Sequence, residues 1–215
     1  MQAVVFDMDG VLLDSEPLHG MALREACATA GLVVDPEEVV GVADRDVILR
    51  AAFRAGRELE AAEVDRLLVA KMRLLQALCR RDLVMPYQGA VELFHAAGEV
   101  AAVGVCTAAM RQDVTFLLGR IGLDAAEHVV VTADDVGQTK PRPECYLLAA
   151  ERLRVEPGRS VAIEDSVSGV AAAKAAGFRV VAVGHTTAPE KLAAADLFVP
   201  TIAELTVERL RRLVG

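Results

Sequence analysis

The stretch VVFDMDGVLLDSEP, residues Val4 to Pro17, decides how the rest of the chain is read. A short apolar run delivers two aspartates, Asp7 and Asp9, one residue apart, and then Gly10. Continuous apolar character without polar alternation marks a strand buried on both faces, as in a parallel sheet. In extended backbone, residues i and i+2 point the same way, so both carboxylates are expected to leave the strand end together while Met8 faces opposite. Gly10 then permits a turn that a side chain would hinder. At an effective dielectric near 20, two unit charges ~4 Å apart repel by about 4 kcal/mol. Such a pair persists if a cation neutralises it or one group stays protonated. A second reading stays open on these residues alone: one aspartate caps a turn and the other is solvated.

From Val100 onward, apolar runs alternate with helical patterns. VAAVGVC (Val100 to Cys106), HVVVT (His128 to Thr132), SVAI (Ser160 to Ile163), RVVAV (Arg179 to Val183) and DLFV (Asp196 to Val199) read as strands. Helices are predicted over Arg111 to Ile121, Glu144 to Leu153, Val167 to Ala176 (ended by Gly177) and Ile202 to Val214. With Ala3 to Phe6 as the first strand, this alternation predicts a doubly wound parallel α/β sheet, whose ligands belong at the carboxyl ends of the strands. The stretch Leu18 to Leu83 breaks the rhythm. It shows only helical periodicity, over Leu18 to Gly31, about Asp46 to Gly56 and Ala61 to Arg80, bracketed by DSEP and VMPYQG. It reads as an all-helical insertion joined to the core by two linkers.

Composition narrows the function. Lys plus Arg number 23 against 31 for Asp plus Glu, a formal net charge of -8, which argues against nucleic acid or an anionic membrane as a partner. Hydrophobic residues make up 53% of the chain, aromatics 4%, and Trp is absent, so the core is expected to be Ala, Val and Leu. The cysteines Cys27, Cys79, Cys106 and Cys145 are scattered and read as reduced thiols of a cytoplasmic protein. No signal peptide or apolar span of ~18 residues is evident.

The remaining strand ends carry polar groups of their own. Thr107 follows one strand and reads either as a ligand hydroxyl or as a helix N-cap. Lys140, before Pro141, lies in an extended loop. Glu164 and Asp165 follow another strand and read either as metal ligands or as an acidic helix start favoured by the dipole. Together, four carboxyl ends supply a carboxylate pair, a hydroxyl, a lysine and a second carboxylate pair, which a parallel sheet would bring to one crevice.

FDMDGVLLDSEPLH, CTAAMR, TKPRPECY and IEDSVSGVAAAKAAG, in this order, resemble the four motifs of the haloacid dehalogenase-like phosphohydrolases. The resemblance is to the branch with a helical cap after the first strand, and within it to the β-phosphoglucomutase, phosphoglycolate phosphatase and CbbY-like members. It implies a Rossmann-like core from residues 1–16 and 84–215 and a cap from 17–83. It also implies a phosphatase acting on a small phosphorylated metabolite through an aspartyl-phosphate. Asp7, expected to be ionised at its ordinary pKa of ~3.9, would be the nucleophile. Asp9 would be the general acid and base. Thr107 and the backbone N–H of Ala108 would hold phosphoryl oxygens, and Lys140 would offset charge. Mg²⁺ is the implied cofactor, held by Asp7, the backbone carbonyl of Asp9, Asp165 and Glu164; the lack of a His/Cys cluster speaks against zinc. His19 and Arg45 are candidate substrate contacts from the cap.

The chain departs from the pattern in places. Asp44 occupies the position where mutase-like members carry Arg, Ala108 and Ala109 replace a second hydroxyl, and Gln138 and Thr139 are looser than usual before the lysine. Glu144 replaces Asp and is expected to cap a helix. The competing readings are a sugar-phosphate mutase, a non-hydrolytic phospho-receiver protein and a dehalogenase. A receiver lacks the insertion, and a dehalogenase has no evident use for Asp9. A monomer or a homodimer is expected.

Overall fold

The apolar runs pair into one parallel sheet of six strands. The computed structural model describes every residue except 37, 38, 40, 41, 43, 82 and 83; for 16, 80 and 81 only the backbone is described. In chain order the elements are β1 (Ala3–Phe6), α1 (Glu16–Ala28), α2 (Asp44–Arg54), α3 (Ala61–Arg81), α4 (Ala90–Gly98), β2 (Ala102–Cys106) and α5 (Arg111–Arg120). There follow β3 (Val129–Val131), α6 (Glu144–Leu153), β4 (Val161–Glu164), α7 (Val167–Ala175), β5 (Arg179–Val183), β6 (Leu197–Val199) and α8 (Val207–Arg211). The strand order is β3-β2-β1-β4-β5-β6, and every pairing is parallel. The chain winds from β1 to β2 and β3 on one flank, then crosses back to place β4 on the other. That reversal makes the β1/β4 crevice the switch point where open α/β sheets bind their ligands.

β1 and β4 are buried at every residue, which accounts for their unbroken apolar character. The core is mostly Ala, Val and Leu, with Phe6 against Phe94 at 5.1 Å and Tyr146 against Phe178 at 5.5 Å between ring centroids. All four cysteines are free and buried.

Two predicted features are corrected. Helix α4 was absent from the sequence reading: its apolar run leads almost directly into β2, and only the burial of Ala90, Leu93, Phe94 and Ala97 on one face distinguishes it as a helix. The closing helix expected over Ile202 to Val214 is broken into a 3-10 turn (Ile202–Glu204) and the short α8, because the Thr206 hydroxyl accepts the Arg209 N–H and starts a new helix. Elsewhere α7 is capped by Ser166, which accepts from the Gly169 N–H, and Gly177, at φ +89°, turns the chain into β5.

The chain divides into two compact units, Met1–Asp14 with Met85–Gly215, and Ser15–Val84. The expected end of the insertion at residue 83 lies outside the described residues. The second unit holds α1, α2 and α3 around a core of its own that includes Leu23, Leu32, Val47, Ile48, Val64 and Leu67. In the first unit, the departing and returning chain segments pair: Leu13 bridges antiparallel to Pro86, Asp14 N–H donates to the Met85 carbonyl, and Tyr87 N–H donates to the Leu12 carbonyl. No described helix is long and apolar enough to cross a membrane.

Candidate active site

The site is built where β1 ends. Asp7 follows Phe6, and its N–H continues the ladder to the Ile163 carbonyl of β4 at 2.9 Å. This ties the chain segment bearing Asp7 to the strand that ends in Glu164 and is followed by Asp165. Beyond Asp7 the chain is not extended. It bends at Met8, whose carbonyl accepts from Leu12 and Leu13, and Met8 itself is fully buried. Asp9 is half-buried and bridges to Leu13. Gly10 has φ +78°, and a Cβ there would lie 1.9 Å from the Asp165 Oδ2 atom. Only glycine both adopts that backbone and admits the second carboxylate so closely.

Asp7, Glu164 and Asp165, all buried, bring carboxylate oxygens to within 4.8 Å of one another. Lys140 enters this cluster: its Nζ donates to Asp7 Oδ1 at 2.8 Å, to Glu164 Oε1 at 2.6 Å and to the Cys106 carbonyl at 3.0 Å. Burial works against the charged form of Lys140, but the Asp7 and Glu164 carboxylates outweigh it and hold the amine above its usual range. For Asp7 the balance is reversed. Burial, then Glu164 and, more weakly, Asp165 push its carboxyl well above the usual range, against the pull of Lys140. The expectation of an ordinary pKa for Asp7 is thereby corrected: one amine cannot neutralise three buried carboxylates. The all-oxygen donor set, with surplus negative charge and no Cys or His in it, fits a hard divalent cation.

Glu164 is fully buried, with Oε1 accepting also from the Tyr146 hydroxyl at 2.6 Å and Oε2 lying 3.3 Å from the Ser166 hydroxyl. It therefore holds Lys140 in place, and Asp7 and Asp165 are the more available ligands. Tyr146, absent from the sequence candidates although it closes the quoted stretch TKPRPECY, is fully buried, and the Lys140 Nζ lies 5.4 Å from its ring centroid.

Thr107 is buried at the end of β2, beside β1. It is not a helix N-cap: α5 starts at Arg111 after Met110, and the Thr107 hydroxyl accepts from the Ala109 N–H at 3.0 Å, leaving its own proton to donate. Ala108 is exposed at the same turn. Glu144 does not cap α6 either. Its carboxylate accepts from the Gln138 N–H at 2.9 Å and so braces the loop that carries Lys140.

The structure thus brings Asp7, Thr107, Lys140, Glu164 and Asp165 to adjacent strand ends of one unit. Asp9 and Ala108 belong to the same unit, whereas His19 and Arg45 lie in the helical unit. There the His19 Nδ1 is 2.9 Å from the buried Lys71 Nζ, which also pairs with Asp44 at 2.9 Å, and Arg45 forms an ion pair with Asp65.

A parallel sheet with an acidic cluster and a lysine side chain at its switch point can hold a metal ion beside a phosphoryl group. The model of the haloacid dehalogenase-like hydrolases matches residues 1–177, and the chain belongs to that family. It is 35% identical over 192 residues to a phosphorylated carbohydrates phosphatase of Thermotoga maritima, covering 86% of this chain and 87% of that protein. It is 29% identical over 219 residues to the β-phosphoglucomutase of Bacillus subtilis, covering 98% and 94%. Among solved structures, CbbY from Rhodobacter sphaeroides in complex with phosphate superposes with a TM-score of 0.88 at 30% identity, covering 98% of this chain and 99% of that one.

Proposed function

We propose that this hydrolase is a Mg²⁺-dependent phosphatase of small phosphorylated carbohydrates, working through a phosphoryl group carried by Asp7. The observation that carries the reading is the buried cluster of Asp7, Glu164 and Asp165 around Lys140 at the β1/β4 switch point. Phosphoryl transfer needs a nucleophile, charge neutralisation and a proton for the leaving oxygen. Asp7 attacks phosphorus and Asp9, next along the turn, protonates the leaving oxygen; Asp9 then takes a proton from the water that opens the acyl phosphate. Thr107 and the Ala108 N–H hold phosphoryl oxygens, and Lys140 offsets the charge on Asp7 and the phosphoryl group. Asp7, Asp165 and the Asp9 carbonyl would hold Mg²⁺, with Glu164 beside them. When bound, the ion supplies the positive charge that keeps Asp7 ionised and screens it from the phosphate dianion. We assign substrate selection to the helical unit as a cap, with His19 and Arg45 its candidate contacts.

The phosphorylated-carbohydrate class is supported by the Thermotoga relative, whose name states it. The test is a phosphate-release screen with Mg²⁺ across sugar phosphates, phosphoglycolate and nucleotides. Asp7→Asn should lose turnover with folding intact, by about 10⁴-fold or more. Asp9→Asn should slow release, so that labelled aspartyl-phosphate accumulates. No substrate cleaved faster than by Asp7→Asn would sink the reading.

The similarity to a β-phosphoglucomutase supports a second reading, in which the phosphoryl group passes to another sugar hydroxyl. Product analysis with β-glucose 1-phosphate separates the two: free phosphate marks the phosphatase, glucose 6-phosphate the mutase.

A further inference from the structure

The carboxyl end of β5 carries two polar residues, His185 and Thr186, that the chemistry above leaves unused, and both reach back into the neighbouring strand ends. The Thr186 hydroxyl donates to Asp165 Oδ2. The Asp165 carbonyl, 3.4 Å away, is a weaker contact, and the single hydroxyl proton goes to the carboxylate. His185 engages the Gly10 carbonyl through Nδ1 at 2.8 Å, across 175 residues of sequence. Its other ring nitrogen accepts from the Ile202 N–H at 3.1 Å, with the Thr201 hydroxyl at 3.3 Å. An imidazole that accepts at Nε2 is neutral and carries its proton on Nδ1, so His185 donates to Gly10.

The ring is further clamped by a stack on Tyr87, with centroids 3.8 Å apart and planes 20° from parallel. The Tyr87 hydroxyl in turn donates to Asp14 at 3.3 Å. The two contacts of the loop after β5 converge on one point. Besides its overlap with Asp165, a Cβ on Gly10 would lie 3.1 Å from the Thr186 methyl, so the Gly10 backbone packs directly on the Asp165–Thr186 pair.

We propose that His185 and Thr186 are a positioning pair for the two acidic halves of the site: Thr186 fixes the rotation of the Asp165 carboxylate, and His185 fixes the turn that carries Asp9. The inference rests on the phosphatase reading above. The Thr186 hydroxyl holds Oδ2 and so fixes the rotation of the Asp165 carboxylate, which sets the direction in which it can meet a cation. Hydrogen bonds of this kind orient metal ligands, and losing one typically costs about 10–100-fold in metal affinity or activity. Gly10, next in sequence to Asp9, is pinned at both ends, its N–H on the Leu13 carbonyl at 2.9 Å and its carbonyl on His185.

The experiment compares wild type with Thr186→Val, Thr186→Ser, His185→Asn and His185→Gln, by phosphate release and by calorimetric titration with Mg²⁺ alone, each beside its Tm. Thr186→Val should weaken Mg²⁺ binding by about 10–100-fold, and Thr186→Ser should restore it. His185→Asn keeps a donor for Gly10, whereas His185→Gln keeps an acceptor for Ile202. The Gln variant should lose kcat by about 10–100-fold and also weaken Mg²⁺ binding, since the turn carries the Asp9 carbonyl as well as its side chain, while the Asn variant stays close to wild type on both readouts. A Thr186→Val protein that binds Mg²⁺ as tightly as wild type overturns the pair, as do two His185 variants whose kcat values fall together in step with Tm. A wild type that neither binds Mg²⁺ nor releases phosphate overturns the phosphatase reading, and the pair with it.

Discussion

Among the described residues, each unit buries the side chain of one lysine, and the two differ in the charge that surrounds them. Lys71, in the helical unit, and Lys140, in the sheet unit, have the same side-chain exposure of 6%. Among the described residues, Lys71 meets one carboxylate, Asp44, whose side chain keeps 29% of its surface, and the imidazole of His19. One charge answers one charge among the described residues, with solvent at hand for the acid. Lys140 meets Asp7 and Glu164, exposed by 10% and 0%, and Asp165 adds a third buried carboxylate close by. The sheet unit is left with a surplus of buried negative charge, a state that costs stability unless a cation offsets it. Burial of a lysine is thus uninformative by itself, and the charge imbalance around Lys140 is what distinguishes the proposed active site.

Replacing Lys140 is the sharpest way to break this contrast. Lys140→Met should leave Asp7 and Glu164 buried without their amine, lowering stability by about 3–5 kcal/mol in urea denaturation. Phosphate release should fall by about 10²–10³-fold. Lys71→Met should cost less, about 1–2 kcal/mol by the same measurement, because Asp44 can turn to water. Equal losses in the two variants would show that charge balance does not distinguish the sites.

A smaller effect is expected away from both lysines, at Asp135. Burial works against its charge, but hydrogen bonds from the Thr132 backbone and side chain, from Arg152 and from Arg111 prevail and hold its carboxyl well below the usual range. A carboxyl depressed in the folded state stabilises above its unfolded pKa of ~3.9, and that contribution disappears as pH falls through the folded value. Asp135→Asn should therefore cost about 1–2 kcal/mol near neutrality and flatten the acid limb of stability in urea titrations from about pH 7 to pH 3. The least effect belongs to Arg45→Ala. Its ion pair with Asp65 is exposed by 48% and 61%, so the change in stability should stay within about 0.5 kcal/mol.

Legibility differed between elements for physical reasons. The bounds of β1, β5 and α6 were read correctly because apolar runs there end abruptly at charge, Gly or Pro. The helix α4 was not, since AVELFHAAG is apolar enough to merge with the strand after it. Within the closing segment, helical periodicity persists through Thr206, and only that hydroxyl's bond to Arg209 reveals a second start. Among the proposed site residues, Asp7, Thr107, Glu164 and Asp165 stood out because each sits at the end of an apolar run, and Lys140 because it precedes Pro141 in a loop. Asp9 was legible as a residue type, but the bend at Met8 was not. Tyr146, His185 and Thr186 escaped because their meaning lies in a partner far along the chain.

By itself the sequence determined the parallel α/β sheet, the helical insertion after its first strand and the acidic and basic groups at the strand ends. These follow from local periodicity and from where apolar runs stop. The tertiary structure alone decided that β1 lies between β2 and β4, and hence that residues as distant as Asp7, Lys140 and Asp165 share one buried volume. It also decided that this volume holds more negative charge than one amine can balance. Strand order and charge balance are properties of contacts between distant segments, and no local pattern encodes them.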